Sequence, residues 1–249
     1  MSPLKRAAGA LLGTEPLAGL LRRRARRPGT LSVLCYHTLG PDGSGIDAWT
    51  MLEVGAFRRQ VAWLTSEYDI VSLDAALETP NGARPRAVLT FDDGDRGLAE
   101  HLPPLLEALE VPVTVYVATG QIETGTPYWF DRVMNALQAP GPLEIQLEGL
   151  GHWVVGPAYG AARWAVIGDL LETLKQVDPV RRQALTDAVV AAAPAPAPPD
   201  AGPGQGPALG PMTREALQAL AAHPLVTIGA HSDCHNLLDQ IPLAEAEAS

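Results

Sequence analysis

Two adjacent carboxylates form the first group of side chains in this sequence that could do chemistry. Asp92 and Asp93 follow the run Ala87–Phe91, which predicts a buried strand, and they precede Gly94, which permits a sharp turn. Neighbouring carboxylates repel each other unless a cation or a proton separates their charges. The motif therefore fits a catalytic or metal-binding pair, although an ordinary Asp-Asp-Gly turn uses the same residues.

The second group is the segment His231–His235 (HSDCH), which follows the predicted strand Val226–Gly229. Two imidazoles four residues apart can face one metal ion if the segment between them makes a helical turn. Histidine pairs at this spacing also occur where no metal binds. The pair alone is therefore weak evidence for a metal site.

The two groups strengthen each other because both follow predicted strands of one parallel sheet. The carboxyl ends of such strands meet at one edge, where α/β folds assemble their active sites. One aspartate and two histidines form a frequent catalytic metal set that leaves positions open for water and substrate. The other aspartate is then free to act as a base on water, which is the arrangement of metal-assisted hydrolysis.

The elements that must position these groups alternate between strand and helix. The predicted strands are 30–36, 68–72, 87–91, 111–118 and 226–229, and helices are predicted at 54–67 and 98–109. In the second helix, Pro103 and Pro104 are expected in the first turn. This alternation is typical of a parallel sheet built from β-α units, either open or closed into a barrel.

The alternation lapses in the middle of the chain. A hairpin is predicted across 143–155, followed by two helices at 161–177 and 180–193. The Pro-, Gly- and Ala-rich stretch 194–211 is low in complexity and predicts a loop or linker.

Composition and charge exclude several classes of protein. The chain has 249 residues, of which 47% are hydrophobic and 18% charged, as in globular proteins. Residues 1–30 hold seven of the 18 basic side chains and one of the 28 acidic ones, so the remainder carries 11 basic and 27 acidic side chains. Such an acidic body repels phosphates, which argues against nucleic-acid binding. The basic arm could make weak contact with an anionic membrane surface.

Targeting signals and cysteine chemistry are not prominent in the sequence. The apolar stretch 7–12 is short and is followed by Gly, Thr, Glu and Pro, so no clear signal peptide is predicted. No window reaches the 18 apolar residues of a typical membrane span. Cys35 and Cys234 form neither a disulfide framework nor a cysteine-based zinc motif.

Both motifs resemble the signatures of a known family. Thr90–Gly94 (TFDDG) and His231–His235 are similar to the first two signature motifs of the polysaccharide deacetylases, the NodB-homology domain of carbohydrate esterase family 4. The likeness covers about 31–238. It implies an α/β fold, a (β/α) barrel of the NodB-homology type over 31–249, after a basic arm at 1–30. An unfamiliar stretch near 140–211 is expected to be an atypical insertion. Because the family continues with more β-α units, we expect a truncated domain whose barrel is incomplete at the C-terminus.

The resemblance also implies roles for individual residues. Asp92 matches the catalytic base, while Asp93, His231 and His235 match the ligands of a divalent metal, for which zinc is expected and cobalt or nickel would substitute. Ser232 matches a residue that supports the loop.

An earlier histidine belongs to a third motif. The segment Leu34–His37 (LCYH) resembles the branch of the family with an N-terminal L-x-Y-H motif. This likeness implies that His37 is the general acid that protonates the leaving amine. The alternative is a histidine at the end of a strand that hydrogen-bonds to a backbone carbonyl.

The implied function is metal-dependent removal of N-acetyl groups from an N-acetylhexosamine-containing polysaccharide in the cell envelope or outside the cell. An N-acetylated glycan is then the expected partner, with Trp129 and Asp131 as candidates to line a sugar groove. Asp95 departs from the aromatic residue that often follows the DDG motif. Alternatives are a relative that cleaves small cyclic amides or esters, a catalytically weak or inactive remnant that binds metal or glycan, and an assembly partner of a polysaccharide export system.

Overall fold

A computed structural model describes residues 27–44, 48–78, 83–138, 141–158, 160–194 and 209–249. Most of the predicted basic arm and most of the predicted linker at 194–211 lie outside these ranges. Among the described helices, none has the length and apolar character that crossing a membrane requires.

The described elements follow the predicted alternation of strands and helices. In chain order, the strands are β1 (Leu31–Tyr36), β2 (Thr38–Gly40), β3 (Met51–Glu53), β4 (Asp69–Ile70), β5 (Arg86–Phe91), β6 (Val113–Val117), β7 (Leu143–Leu147), β8 (Gly151–Val155) and β9 (Val226–Ala230). The helices are α1 (Val54–Glu67), α2 (Leu73–Glu78), α3 (Arg96–Leu109), α4 (Thr119–Thr124), α5 (Trp129–Ala136), α6 (Ala161–Leu174), α7 (Pro179–Ala192), α8 (Arg214–Ala221) and α9 (Leu243–Ala248), with a 3₁₀ turn at Leu238–Gln240.

The main sheet is parallel and has the strand order β1-β5-β6-β9, with the short β4 paired to the first residues of β5. Its registers place Tyr36 of β1 opposite Phe91 of β5, and Phe91 opposite Val115 of β6. The predicted α/β class with a parallel sheet is confirmed. The described strands form an open sheet with β1 and β9 at its edges, and they do not close a barrel.

Burial explains why β5 forms the centre of the sheet. All six of its residues are buried, as expected for a strand with neighbours on both edges and helices packed over it. The same hydrophobic cluster contains Phe57, Val61 and Leu64 of α1 and Leu98, Leu102 and Leu105 of α3. Each such fully buried side chain contributes roughly 1.5–3 kcal/mol relative to exposure. This core fixes the strand ends that lead into the candidate site.

Helix α3 differs from the prediction at its start. It begins at Arg96 rather than Leu98, because Asp95 caps it by accepting a hydrogen bond from the backbone N–H of Gly97 at 2.8 Å. Pro103 and Pro104 therefore lie inside the helix, and the prediction that they occupy its first turn was wrong. Proline inside a helix removes a backbone hydrogen bond, and burial of Leu102 and Leu105 on either side of the two prolines stabilises the helix there.

The middle of the chain builds a second hydrophobic cluster. The antiparallel pair β7–β8 and helices α6 and α7 pack with α5, burying among others Val133, Trp153, Ile167 and Val189. Arg163 is buried here, where it donates to the carbonyls of Gly156 and Leu137. This unit lies beside the carboxyl edge of the main sheet and contributes one wall of the cavity described below.

Candidate active site

Three predicted ligands converge at the carboxyl edge of the main sheet. The Nε2 atoms of His231 and His235 lie 3.5 Å and 3.2 Å from Oδ1 of Asp93. The three ligand atoms all lie within 4.8 Å of one another. Strand β5 delivers the aspartate and strand β9 delivers both histidines, as the positions of the two motifs after parallel strands predict.

Asp93 is the buried member of this group. The residue is 5% exposed, and its Oδ1 atom makes no hydrogen bond to any of the described residues. Its backbone carbonyl accepts a hydrogen bond from the Tyr128 hydroxyl at 2.7 Å. A buried carboxylate oxygen without a partner is costly, so a cation between Asp93 and the two imidazoles fits this arrangement. The donor set, one carboxylate and two imidazoles, suits a divalent transition metal.

The electrostatics at His235 also favour a positive charge. Burial by itself lowers the pKa of His235, but the nearby, negatively charged carboxylate of Asp93 outweighs burial and raises that pKa above its ordinary value. A field that stabilises a proton on this imidazole stabilises a cation at the same place.

The histidine segment reaches this geometry without forming a helical turn. It is an irregular bend in which Ser232 and His235 have φ values of 60° and 57°. The Ser232 hydroxyl accepts a hydrogen bond from the backbone N–H of His235, and the carbonyl of Asp233 accepts one from Gly120. Asp93 also has a positive φ, 73°. Non-glycine residues rarely adopt this conformation, and those that do cluster at functional sites.

Gly94 is required by the turn that follows the two aspartates. Its φ is 64°, and a Cβ atom at this position would lie 2.7 Å from Cγ1 of Val117. A side chain here would push the turn away from β6 and displace Asp93 with it.

Asp95 holds the same turn from the other side. It is 5% exposed and accepts hydrogen bonds from the hydroxyl of Thr38 at 2.5 Å and from the backbone N–H groups of Gly97 and Gly210. Burial raises the pKa of Asp95, and the three hydrogen bonds lower it by less. Sequence analysis noted this residue only as a departure from the family motif. The position of Asp95 directly before the apolar helix α3 could have indicated that it caps this helix.

Replacing Asp95 with alanine is expected to lower the free energy of unfolding by about 2–4 kcal/mol, because a helix cap is lost and buried donors are left without an acceptor. Denaturant unfolding of the purified variant measures this change. The matched control is Thr213→Ala, which removes an exposed cap from α8 and should cost only about 1 kcal/mol. Equal losses in the two variants would contradict a structural role for Asp95 beyond capping.

A second group of ligand-type side chains lies at the same edge. The thiol of Cys35 donates a hydrogen bond to Oδ2 of Asp92 at 3.1 Å, and Cys35, His37 and Asp92 have ligand atoms within 4.8 Å of one another. Burial, then the hydrogen bond and charge of Asp92, raise the pKa of Cys35 to about 11. The structure thus brings His37 and Asp92 together beside the Asp93 group.

A cavity of about 770 Å³ opens beside both groups. His37, Asp93 and His235 line it on one side, and its other walls include the aromatic side chains of Trp49, Trp129, Phe130 and Trp164. The His37 ring packs edge-on against Trp49, with ring centroids 4.9 Å apart. Trp129 therefore lies where a groove residue was expected.

Two residues behave differently from the sequence interpretation. Asp131 is 4% exposed and does not line the cavity. Burial, and then the charges of Asp95 and Asp93, raise the pKa of Asp131 well above its usual range. Trp164 of α6, which lines the cavity, was missed, because one tryptophan in an amphipathic helix looks like a core residue in the sequence.

Comparison with known proteins finds one family model that matches part of the chain. Residues 79–176 match the family model described as polysaccharide deacetylase. This segment contains Asp92 and Asp93 and ends before the histidine motif. A search of curated proteins gives no significant match.

Several solved structures are similar to the chain. A de-N-acetylase from Aggregatibacter actinomycetemcomitans is 14% identical with a TM-score of 0.42, over 82% of this chain and 55% of that one. IcaB from Ammonifex degensii is 20% identical with a TM-score of 0.35, over 66% of this chain and 71% of that one. The Streptococcus pyogenes deacetylase PplD in complex with acetate is 23% identical with a TM-score of 0.34, over 40% of this chain and 47% of that one. The chain spans about half the length of the first of these. With TM-scores below 0.5, the assignment rests on the matched sequence segment.

Proposed function

We propose that this chain is a polysaccharide deacetylase, because residues 79–176 match the model of that family. On this proposal it removes N-acetyl groups from an N-acetylhexosamine-containing polysaccharide in a metal-dependent reaction. The observation that carries the proposal is the convergence of Asp93, His231 and His235 at the mouth of an aromatic cavity. The family match supports amide hydrolysis, and the donor set supports the metal.

Asp93, His231 and His235 are the residues that would hold the ion, with zinc as the first choice and cobalt or nickel as substitutes. When bound, the ion supplies a Lewis acid that polarises the acetyl carbonyl and stabilises the negative charge that develops on its oxygen. Tyr128 steadies the aspartate from behind through its hydrogen bond to the Asp93 carbonyl.

Two residues of the neighbouring group transfer protons. Asp92 accepts the proton of the attacking water, and the Cys35 thiol orients its carboxylate by donating to Oδ2. His37 lines the cavity and donates a proton to the leaving amine as the carbon–nitrogen bond breaks. Ser232 supports the backbone of the histidine segment through its hydrogen bond to His235 and takes no part in the reaction.

The cavity suggests how a glycan is held. Aromatic rings present large apolar faces, and sugar rings have apolar faces of matching size. Trp129 and Trp164 are therefore proposed to pack against the sugar that carries the acetyl group, beside His37. An N-acetylated glycan of the cell envelope is the proposed partner.

We also propose the chain organisation expected from the sequence. It consists of a basic arm at 1–30, which makes at most weak contact with a membrane surface, and a deacetylase domain at 31–249 with an insertion near 140–211.

Acetate release from N-acetylglucosamine oligomers tests the proposal directly. The purified chain should release acetate, lose at least about 100-fold of this activity after chelation, and regain it with zinc or cobalt, because the metal supplies several kcal/mol of transition-state stabilisation. Binding of the oligomer by metal-loaded protein without acetate release would support the non-catalytic alternative instead. Release of acetate that chelation does not affect would rule out the proposed metal dependence.

A further inference from the structure

We propose that Cys35, His37 and Asp92 form a second metal site, which takes a thiophilic divalent ion such as Cd²⁺ or excess Zn²⁺. The site is distinct from the Asp93 group, because it shares none of its three ligands. It is made by the end of β1 and the first residue after β5. The binding step stands on this geometry alone, whereas its inhibitory consequence rests on the proposed function.

Strand geometry explains why the three side chains meet. Cys35 and His37 flank Tyr36, and alternate residues of an extended chain point to the same side. Strand β5 runs parallel to β1 with Thr90 opposite Cys35, and the backbone N–H of Asp92 donates to the carbonyl of Tyr36 at 2.9 Å. The carboxylate of Asp92, the first residue after β5, is therefore held beside the Cys35 thiol, with Sγ and Oδ2 3.1 Å apart.

The cluster is open to an incoming ion. Cys35 is exposed, and His37 and Asp92 are half-buried, whereas the ligand Asp93 of the first group is buried. Three ligand atoms within 4.8 Å of one another can approach one ion with small side-chain rotations. Open coordination positions then face the solvent.

The ligand types decide which ion the site prefers. A sulfur ligand selects soft or borderline ions, and the Asp93 group contains no sulfur. Binding breaks the S–H bond of Cys35, forms a sulfur–metal bond and releases the proton to solvent. The proton lies between Sγ and the Asp92 carboxylate, 3.1 Å apart, so only an ion with strong affinity for sulfur replaces it.

The consequence is inhibition by excess soft metal. An ion on Asp92 occupies the carboxylate that accepts the proton of water, and an ion on His37 occupies the imidazole that protonates the amine. Deacetylation should therefore fall when this site fills while the ion of the Asp93 group stays bound.

Cadmium titration of the whole chain, reduced with a non-thiol reagent, tests the site without relying on turnover. We expect a second bound ion per chain and a sulfur-to-cadmium charge-transfer band in the ultraviolet. Both should be lost in Cys35→Ser and in Cys35→Ala, while the first ion is retained. Cys234→Ser is the matched control, because it removes the other exposed cysteine and should keep the band.

The outcomes separate this site from the proposed reaction. A band that survives in both Cys35 variants, or that disappears in Cys234→Ser, overturns the assignment. Binding of a single cadmium ion without the band also overturns it. Circular dichroism checks that each variant is folded. If Cys35→Ser is not folded, the cadmium titration of Cys35→Ala tests the site. Absence of acetate release by the unmodified chain would count against the proposed function and leave the cadmium result standing.

Discussion

Replacing Asp92 with asparagine is expected to lower acetate release by about 100-fold or more and to leave the metal content of the protein unchanged. Asparagine keeps the shape of the side chain and can still accept the hydrogen bond from the Cys35 thiol. Its carboxamide cannot take the proton of the attacking water. The proposed metal ligands are Asp93, His231 and His235, so the ion should stay. Acetate release and metal analysis on the same preparation measure the two effects.

Two further variants make this result specific. Asp93→Asn should lower the metal content together with the activity, because Asp93 faces both imidazoles. Asp74→Asn, which changes an exposed aspartate at the start of α2, should alter neither. If Asp92→Asn retained activity within a few-fold of the unmodified chain, Asp92 would not be the base.

The parts of the fold that could be predicted are those that short apolar runs determine. Strands β1, β5, β6 and β9 were located within one or two residues, since each is a run of β-branched and apolar side chains between turn residues. Parallel pairing then followed from the helices between them. The convergence of Asp93, His231 and His235 followed in turn, because parallel strands share one carboxyl edge.

The local geometry of the site could not be predicted, because distant contacts set it. The bend of the histidine segment depends on Gly120, whose N–H donates to the carbonyl of Asp233, more than a hundred residues along the chain. No pattern within HSDCH indicates a positive φ at Ser232 and His235. A helical turn was only one way for the two histidines to face one ion, and tertiary contacts hold the segment in a different conformation.

The cavity walls illustrate a second limit of sequence analysis. Trp49, Trp129 and Trp164 are 115 residues apart from first to last, and they come from the turn before β3, from α5 and from α6. The packing of α6 with α5 in the second hydrophobic cluster brings Trp164 beside the candidate site. A helix that buries one face and lines a cavity with another has the same hydrophobic periodicity as an ordinary core helix.

Replacing His231 with alanine is expected to lower metal affinity by more than roughly 100-fold. Loss of a group that only hydrogen-bonds to a metal ligand costs roughly 10–100-fold in affinity, and loss of the ligand itself should cost more. One of the three proposed ligands disappears, and Asp93 is left with a single facing imidazole, His235. Acetate release should fall in parallel, so that added zinc restores part of it. Metal analysis after dialysis, with His152→Ala as the control for an exposed imidazole outside either cluster, measures the effect. Equal metal content in the two variants would mean that the ion is held elsewhere, and the proposed roles of Asp93 and His235 would fail with it.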